Sequence, residues 1–444
     1  MVDLLGAHAI VVGAGMGGLT VAKALSPYFE KVTVLERDAL PHAAEARIGT
    51  PHCRQVHLFL RAGLDTLVQF FPEFERDLES AGGIRVRAGL ELLLETPGFD
   101  PWPQRDLGFD TFCMTRPLVE FVTRRLVQQQ PNIEIRSSCR VTQFLKTPDR
   151  ASVNGVQYHL ANGESAELAA DLVIDASSRG TLTLEFLDRC GMPSPEETEV
   201  GIDLGYATAT FDIPPSAPHS WRAVIHRAGA QNGRGGFLFP IENNRWHVSL
   251  NGMHGDYPPD DPREFIEFAR TLRTPTIFEA IKDAAMVGGI HRFAFPSSIR
   301  RRFEALKEFP GGLLIVGDAI CRFNPAMGQG MTVVAQEVGV LKRVLEERAD
   351  PLNGLALAFF SAIQPVLSGP WSMAESDFIF PKTRGQCPPD FQQRMKFGSA
   401  LQRVAVEDPE IHRTLILVNQ LLIPPAALRE PHIVAKVTAM MASS

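Results

Sequence analysis

The stretch Ile10-Val11-Val12-Gly13-Ala14-Gly15-Met16-Gly17-Gly18-Leu19 limits what this chain can fold into more than any other. An apolar strand runs directly into G-x-G-x-x-G, and a second apolar strand, Val32-Thr33-Val34-Leu35, ends at Glu36. Each part has a mechanical role in holding a dinucleotide. Gly13 permits the tight strand-to-helix turn. Gly15 has no Cβ, so the backbone can approach a pyrophosphate, and Gly18 lets the helix pack closely on its sheet. The helix N-terminus offers unpaired N–H groups and partial positive charge to phosphates. Glu36 is placed to accept hydrogen bonds from an adenosine ribose. A bare glycine motif is weak evidence; strand, helix, strand and acid in register make it specific.

The chain has 444 residues, more than one ordinary domain needs, which predicts two domains plus an extension. Its net charge of −7 argues against nucleic acid or an anionic membrane as partner. Arg300-Arg301-Arg302 reads as a solvated turn. Cys53, Cys113, Cys139, Cys190, Cys321 and Cys387 are scattered, with no C-x-x-C and no zinc-ligand spacing, so free thiols and no metal are expected. The first strand starts so early that a signal peptide is not expected. The apolar tract from Leu415 to Ile423 is interrupted by Asn419 and Gln420 and too short to span a bilayer. A cytoplasmic location follows as the expectation.

Residues 8–36 read as β-α-β. Apolar spacing through Val56, Leu60, Leu64, Leu67 and Phe71 predicts a helix over 56–72. Ile84 to Leu94 reads as strand, and Pro117 opens a helix reaching Gln129. Three strands follow between residues 133 and 160, then Leu172-Val173-Ile174, an all-apolar strand of the central parallel kind. From about residue 200 the pattern alternates without long helices, which predicts a mixed or antiparallel sheet. Leu313 to Val316 is another buried strand, followed by a long helix from about Met331 to Arg348. The expected fold is α/β, with a Rossmann-like nucleotide domain interrupted by a mixed-sheet substrate domain. The boundaries are 1–70, 108–200 and 290–350 for the first, 71–107 and 201–289 for the second, and 351–444 for a C-terminal helical region.

A second signature lies at Gly317-Asp318-Ala319-Ile320-Cys321-Arg322-Phe323-Asn324-Pro325-Ala326-Met327-Gly328-Gln329-Gly330-Met331. A strand delivers an aspartate, and a Pro/Gly-rich loop delivers the start of a long helix. Asp318 can hydrogen-bond a polyol hydroxyl, and the Gly328–Met331 amides can face a carbonyl or an anionic ring edge. The two motifs together suit FAD.

These strings resemble the FAD-dependent monooxygenases with the p-hydroxybenzoate hydroxylase fold, over nearly the whole chain. The pattern is most similar to a subset that includes polyether-pathway epoxidases, through Arg47-Ile48-Gly49-Thr50-Pro51, Arg54-Gln55-Val56-His57, Asp171 to Gly180, and Phe239-Pro240-Ile241-Glu242. The resemblance implies that Gly13, Gly15 and Gly18 hold the pyrophosphate and Glu36 the ribose. It implies Arg37 beside the adenosine, Arg47 in a loop reaching back to the flavin, and Arg116 at the ribityl-phosphate region. Val141 would offer backbone to the adenine. Asp318 would hold the ribityl chain or pyrophosphate, and Pro325, Gly328, Gln329, Gly330 and Met331 would border the isoalloxazine ring.

The implied chemistry inserts one oxygen of O2, through a flavin C4a-hydroperoxide, into a hydrophobic small molecule. NADPH or NADH would donate electrons, directly or through a flavin reductase. Many single-component hydroxylases carry Asp-Gly where this chain has Asp175-Ala176, which keeps a separate reductase in view. The W-x-W-x-I-P string of flavin halogenases is absent, so halogenation is disfavoured. Candidate substrate-pocket residues are His57, Tyr206, Phe237, Phe239, Trp246 and Phe295, with packing of the aromatics in an ordinary core as the alternative. Few tyrosines and many phenylalanines favour an alkene-bearing or aromatic substrate. No dedicated catalytic side chain is required, because the cofactor carries the chemistry. A reductase or desaturase acting on an apolar chain without oxygen insertion, or a flavin-binding redox sensor, are the rival readings. The resemblance sets no oligomeric state.

Overall fold

A computed structural model describes residues 4–148 and 152–443. The strands Leu313–Ile315, Leu172–Asp175, Gly6–Val12, Phe29–Leu35 and Ile133–Arg136 lie side by side in that order as one parallel sheet. Their near-continuous apolar runs suit a sheet covered on both faces. Ala9, Val11 and Ile174 point to one side, where the helices Met16–Leu25 and Gly330–Glu347 pack. Ile10, Val12 and Val173 point to the other, against the antiparallel strands Arg140–Lys146 and Val153–His159 and the helix Thr181–Arg189.

The second body is a mixed sheet running Cys321–Arg322, Met286–Arg301, Glu197–Asp212, Arg245–Met253, Gly235–Ile241, Ala223–His226 and Leu92–Glu95, with Arg384–Gly385 added beside Glu197–Asp212. Strand alternation gives it two faces. Ala207, Ala209, Phe211, Val224, Leu238, Trp246, Val248 and Leu250 pack on the helices Pro262–Arg270 and Thr276–Ile281. The opposite face carries Tyr206, Phe237 and Phe295 and meets Ala326 of the second loop. Beyond the nucleotide fold, helices from Leu355–Ala362 onward cover the second loop and reach back to Trp102.

The α/β architecture, with its parallel sheet and mixed sheet, is the one expected; three local expectations change. The predicted helix over 56–72 is extended at His57–Phe59 and helical only over Arg61–Phe70. Pairing with Asp110–Met114 and a hydrogen bond from Val56 N to Ser249 Oγ (3.0 Å) hold that first segment straight, overriding the helical spacing. Ile84 to Leu94 divides at Gly89, where φ is +74°, into Ile84–Arg87 and Leu92–Glu95, which join different sheets. Arg300 and Arg301 do not form a solvated turn. They end the strand Met286–Arg301 with their side chains largely covered, Arg301 donating to Ala319 O at 2.8 Å.

Candidate active site

The first loop has the geometry its glycines demand. Gly13 sits at φ +103°, and a Cβ there would meet Ala176 O at 2.8 Å. A Cβ on Gly18 would stand 1.9 Å from Gly13 O, which no side chain can do. A Cβ on Gly15, in contrast, would meet nothing within 4 Å. Sterics inside the protein therefore require Gly13 and Gly18, whereas Gly15 leaves open space at a helix N-terminus, the shape of a phosphate cradle.

Glu36 is buried at the end of its strand, with Oε2 accepting from Ala14 N at 2.8 Å and Oε1 from Asp38 N at 3.0 Å. Arg47 reaches it from the following loop. Arg47 Nη1 lies 3.2 Å from Glu36 Oε2 and 2.9 Å from Asp38 Oδ2, and Nε donates to Glu120 Oε1 at 2.7 Å. Burial works against the Arg47 charge, but Glu120, Glu36 and Asp38 more than offset it and hold the guanidinium above its ordinary value. Burial likewise pushes Glu120 upward, and Arg116 and Arg47 outweigh it, so that carboxylate stays below its usual range. Arg116 Nη1 lies 2.9 Å from Glu120 Oε2 without hydrogen-bond geometry, leaving a buried donor unspent. Arg37 is exposed and only 4.0 Å from Asp38, while Val141 is packed beside Val12 and Leu35.

The helices that begin at the two loops touch: a Cβ on Gly17 would meet Val334 Cγ2 at 2.9 Å. Asp318 feels the field of Arg322 and, after it, of Arg116, so the ionic chain from Glu36 through Arg47, Glu120 and Arg116 ends near the second loop. Among the described residues nothing donates to the Asp318 carboxylate, and desolvation pushes it up to about 6. It faces the start of the helix Gly330–Glu347, where a Cβ on Gly330 would lie 3.8 Å from Oδ1. Gln329 Nε2 is 2.9 Å from Met373 Sδ while its Oε1 has no partner. Pro325 is exposed, opening a short turn that Asn324 caps through Ala326 N. Open space at Gly15, an unpaired carboxylate at Asp318, an unspent donor at Arg116 and an unspent acceptor at Gln329 fit FAD.

The substrate-pocket candidates divide. Tyr206, Phe237 and Phe295 share the cluster that meets Ala326, and Phe239 packs beside them against Ala223 and Cys113. Trp246 lies on the opposite face, stacked on Trp221 with ring centroids 6.1 Å apart, and is no part of this pocket. A period of two puts its neighbour His247 on the site face instead. His57 sits on a strand rather than a helix surface, its ring 5.6 Å from that of His52. Its Nδ1 lies 2.8 Å from Gln55 O, so Nδ1 carries the proton and Nε2 the lone pair. Burial keeps His57 well below the ordinary histidine range, and brings His52 and His247 down to about 4.

Several charged residues around the two loops escaped the sequence reading. Glu120 was accessible to it, being four residues from Arg116 on one helix face. Glu337 is buried in the long helix, accepts from Gly317 N at 2.7 Å, and is pushed up to about 8 by desolvation. Asp377 bonds Asn324 Nδ2 at 2.9 Å and is pushed up to about 7 by desolvation. Asp175, where an Asp-Gly pair was expected to matter, spends its carboxylate on Ser177 N, Ser177 Oγ and Thr183 Oγ1.

The profile of the family described as FAD binding domain matches residues 7–354. Protein Rv3254 of Mycobacterium tuberculosis is 31% identical over 355 residues, covering 78% of this chain and 74% of that protein. Squalene monooxygenase 1,1 of Brassica napus is 22% identical over 355 residues, 79% of this chain and 64% of the relative's own length. The solved structure of the flavin-dependent brominase Bmp2 superposes with a TM-score of 0.68 at 14% identity, over 99% of this chain and 98% of that one, a likeness of fold alone.

Proposed function

The chain belongs to the FAD binding domain family, and on that premise we propose that it is a flavin-dependent monooxygenase, which inserts one oxygen atom of O2 into a hydrophobic alkene-bearing or aromatic small molecule, by epoxidation or hydroxylation. The observation that carries this reading is the apolar face of Tyr206, Phe237, Phe293 and Phe295 set against Ala326 of the second loop. A redox carrier has no use for such a face beside its cofactor.

Bound FAD, once reduced with electrons from NADPH or NADH, supplies the activation of O2. The chain's own residues bind, orient and exclude water. Gly13, Gly15 and Gly18 would hold the pyrophosphate, Glu36 the ribose, and Arg116 and Asp318 the ribityl-phosphate stretch. The Gly328–Met331 amides would face the oxygen edge of the ring and favour negative charge there. Burial keeps His52, His57 and His247 uncharged at neutral pH, so no histidinium lies beside an apolar substrate. Electrons would arrive from NADPH or NADH directly or through a separate flavin reductase.

The test is turnover of FAD-loaded protein under ¹⁸O2, with NADPH alone and with added flavin reductase. A product heavier by one labelled oxygen is expected. An unlabelled product, or full turnover without oxygen, would replace this reading with a reductase or desaturase acting on an apolar chain.

A further inference from the structure

The string Phe239-Pro240-Ile241-Glu242 ends at an acid to which neither loop gives a task. Glu242 follows the strand Gly235–Ile241 of the mixed sheet, in a reversal where Asn243 and Asn244 stand at φ +66° and +56°. Its carboxylate crosses to the nucleotide side and takes both donors of one residue. Oε2 accepts from Thr115 N at 3.1 Å, and Oε1 accepts from Thr115 Oγ1. Among the described residues it accepts no other hydrogen bond. The turn at Gly82 presses on its stem, because a Cβ there would stand 3.0 Å from Glu242 Cβ.

Thr115 is the N-cap of the helix Arg116–Gln128, with Oγ1 accepting from Leu118 N at 3.3 Å. In an ordinary capping box the residue three places after the cap is a Glu or Gln that reaches back to the N–H of the cap. Here that place holds Leu118, buried in the core of the nucleotide fold. The helix cannot close its own box. Glu242 supplies the missing carboxylate from the other sheet, 127 positions along the chain.

The first residue of that helix is Arg116, whose buried Nη1 lies 2.9 Å from Glu120 Oε2 and has no hydrogen bond. Glu120 restrains the tip of this side chain. The clasp at Thr115 restrains the main chain one residue before it. The free donor is therefore placed from two directions, one of them the mixed sheet. The strand leading into Thr115, Asp110–Met114, pairs Met114 with His57, so the clasp also stands where the substrate wall meets the cofactor helix.

We propose that Glu242 is a positioning residue for the cofactor: from the mixed sheet it completes the cap of the helix Arg116–Gln128 and so holds Arg116 where it meets the ribityl-phosphate stretch of FAD. This assignment rests on the cofactor role given to Arg116 above. It goes beyond that role by making an acid of the substrate sheet part of cofactor binding.

The test is a double-mutant cycle on FAD affinity. Full-length apoprotein is titrated with FAD, following the quenching of flavin fluorescence, and melting temperatures are recorded in parallel. Glu242→Ala and Arg116→Met should each weaken FAD binding by about tenfold or more, and the double variant should bind within about twofold of Arg116→Met alone. A side chain that only stabilised the fold would weaken binding by the same factor in both backgrounds. Glu242→Gln keeps an acceptor for Thr115 N and should recover part of the affinity. Where Glu242→Ala does not fold, the glutamine variant completes the cycle in its place. Wild-type affinity in the Glu242 variants, or penalties that multiply in the double variant, would overturn the positioning role. Arg116→Met binding FAD as the wild type does would remove Arg116 from the cofactor, and the positioning role with it. The ¹⁸O2 experiment fails independently: an unlabelled product with the cycle as expected leaves Glu242 in place and removes only the monooxygenase reading. A labelled product with multiplying penalties does the reverse.

Discussion

At the adenosine end of the cofactor track, Arg47 lies among Glu36, Asp38 and Glu120, and protein partners surround each charge. At the ring end, among the described residues, Asp318 has no donor, and Gln329 and Glu337 each keep an oxygen without a partner. The first end is organised by its own side chains, while the second carries polar groups left without protein partners among the described residues. A preformed anchor and a ligand-dependent ring site divide affinity from reactivity. The constant part of the coenzyme is gripped by a rigid network. The part next to the substrate is bordered by groups whose charge responds to what is bound.

The sharpest break in this comparison is at the glycines. Gly18→Ala forces a Cβ into the carbonyl of Gly13 and should cost about 3 kcal/mol or more of stability, with FAD present or absent. Gly15→Ala has room for its methyl and should melt as the wild-type apoprotein does, yet lose FAD affinity by about tenfold or more. Thermal melts with and without FAD separate the two. Equal destabilisation by both substitutions would mean that Gly15 faces protein rather than cofactor.

Arg47→Met tests whether the anchor is self-sufficient. It removes the cation that three carboxylates share, of which Glu36 and Glu120 are buried, and should cost about 3–5 kcal/mol in urea unfolding of the apoprotein. Adding Glu120→Gln should recover part of that loss, because one of the crowded negative charges disappears. A loss seen only in the FAD-loaded protein would show that the network forms around the ligand.

The ring end predicts a pH dependence of opposite character. Asp318, Asp377 and Glu337 are raised to about 6, 7 and 8, above the unfolded carboxylate value of about 4. The folded chain therefore holds these protons longer than the unfolded one. The contribution is fully present below about pH 4 and is lost as pH rises through the folded values. Apoprotein stability should fall between about pH 4 and about pH 8, by roughly 1.4 kcal/mol for each unit by which a group is raised. Asp318→Asn and Glu337→Gln should flatten that slope, read from urea midpoints across the range. An unchanged slope in both variants would mean the carboxyls are solvated.

What the sequence made legible follows from the range of each signal. The glycine loop and its acid are local: residues within one β-α-β unit carry the whole constraint, and Gly13, Gly18 and Glu36 stand where that constraint puts them. The second loop was readable for the same reason. The histidine strand was misread because Leu60, Leu64 and Leu67 have helical spacing, and only tertiary pairing stops the helix short of His57. Asp377 and Met373 reach the second loop from helices far along the chain, a proximity that no local pattern encodes. Trp246 shows the remaining gap. Alternation in a strand is visible in sequence, but which phase faces the site depends on the layer behind the sheet.

That phase can be tested by the mildest substitutions. Phe237 is half-buried on the site face, whereas Trp246 is locked between Trp221 and the helix layer. Trp246→Phe should cost about 1–2 kcal/mol of stability through lost packing and leave ligand affinity at the wild-type value. Phe237→Ala removes a partly buried ring that packs edge-on to Phe239, should cost about 1–3 kcal/mol, and should in addition weaken binding of an apolar alkene several-fold. The pair has to be read together, since either result alone is compatible with general loosening of the sheet. If Trp246→Phe changes ligand affinity while its melting temperature holds, the faces are assigned the wrong way round and the aromatic channel lies on the helix side.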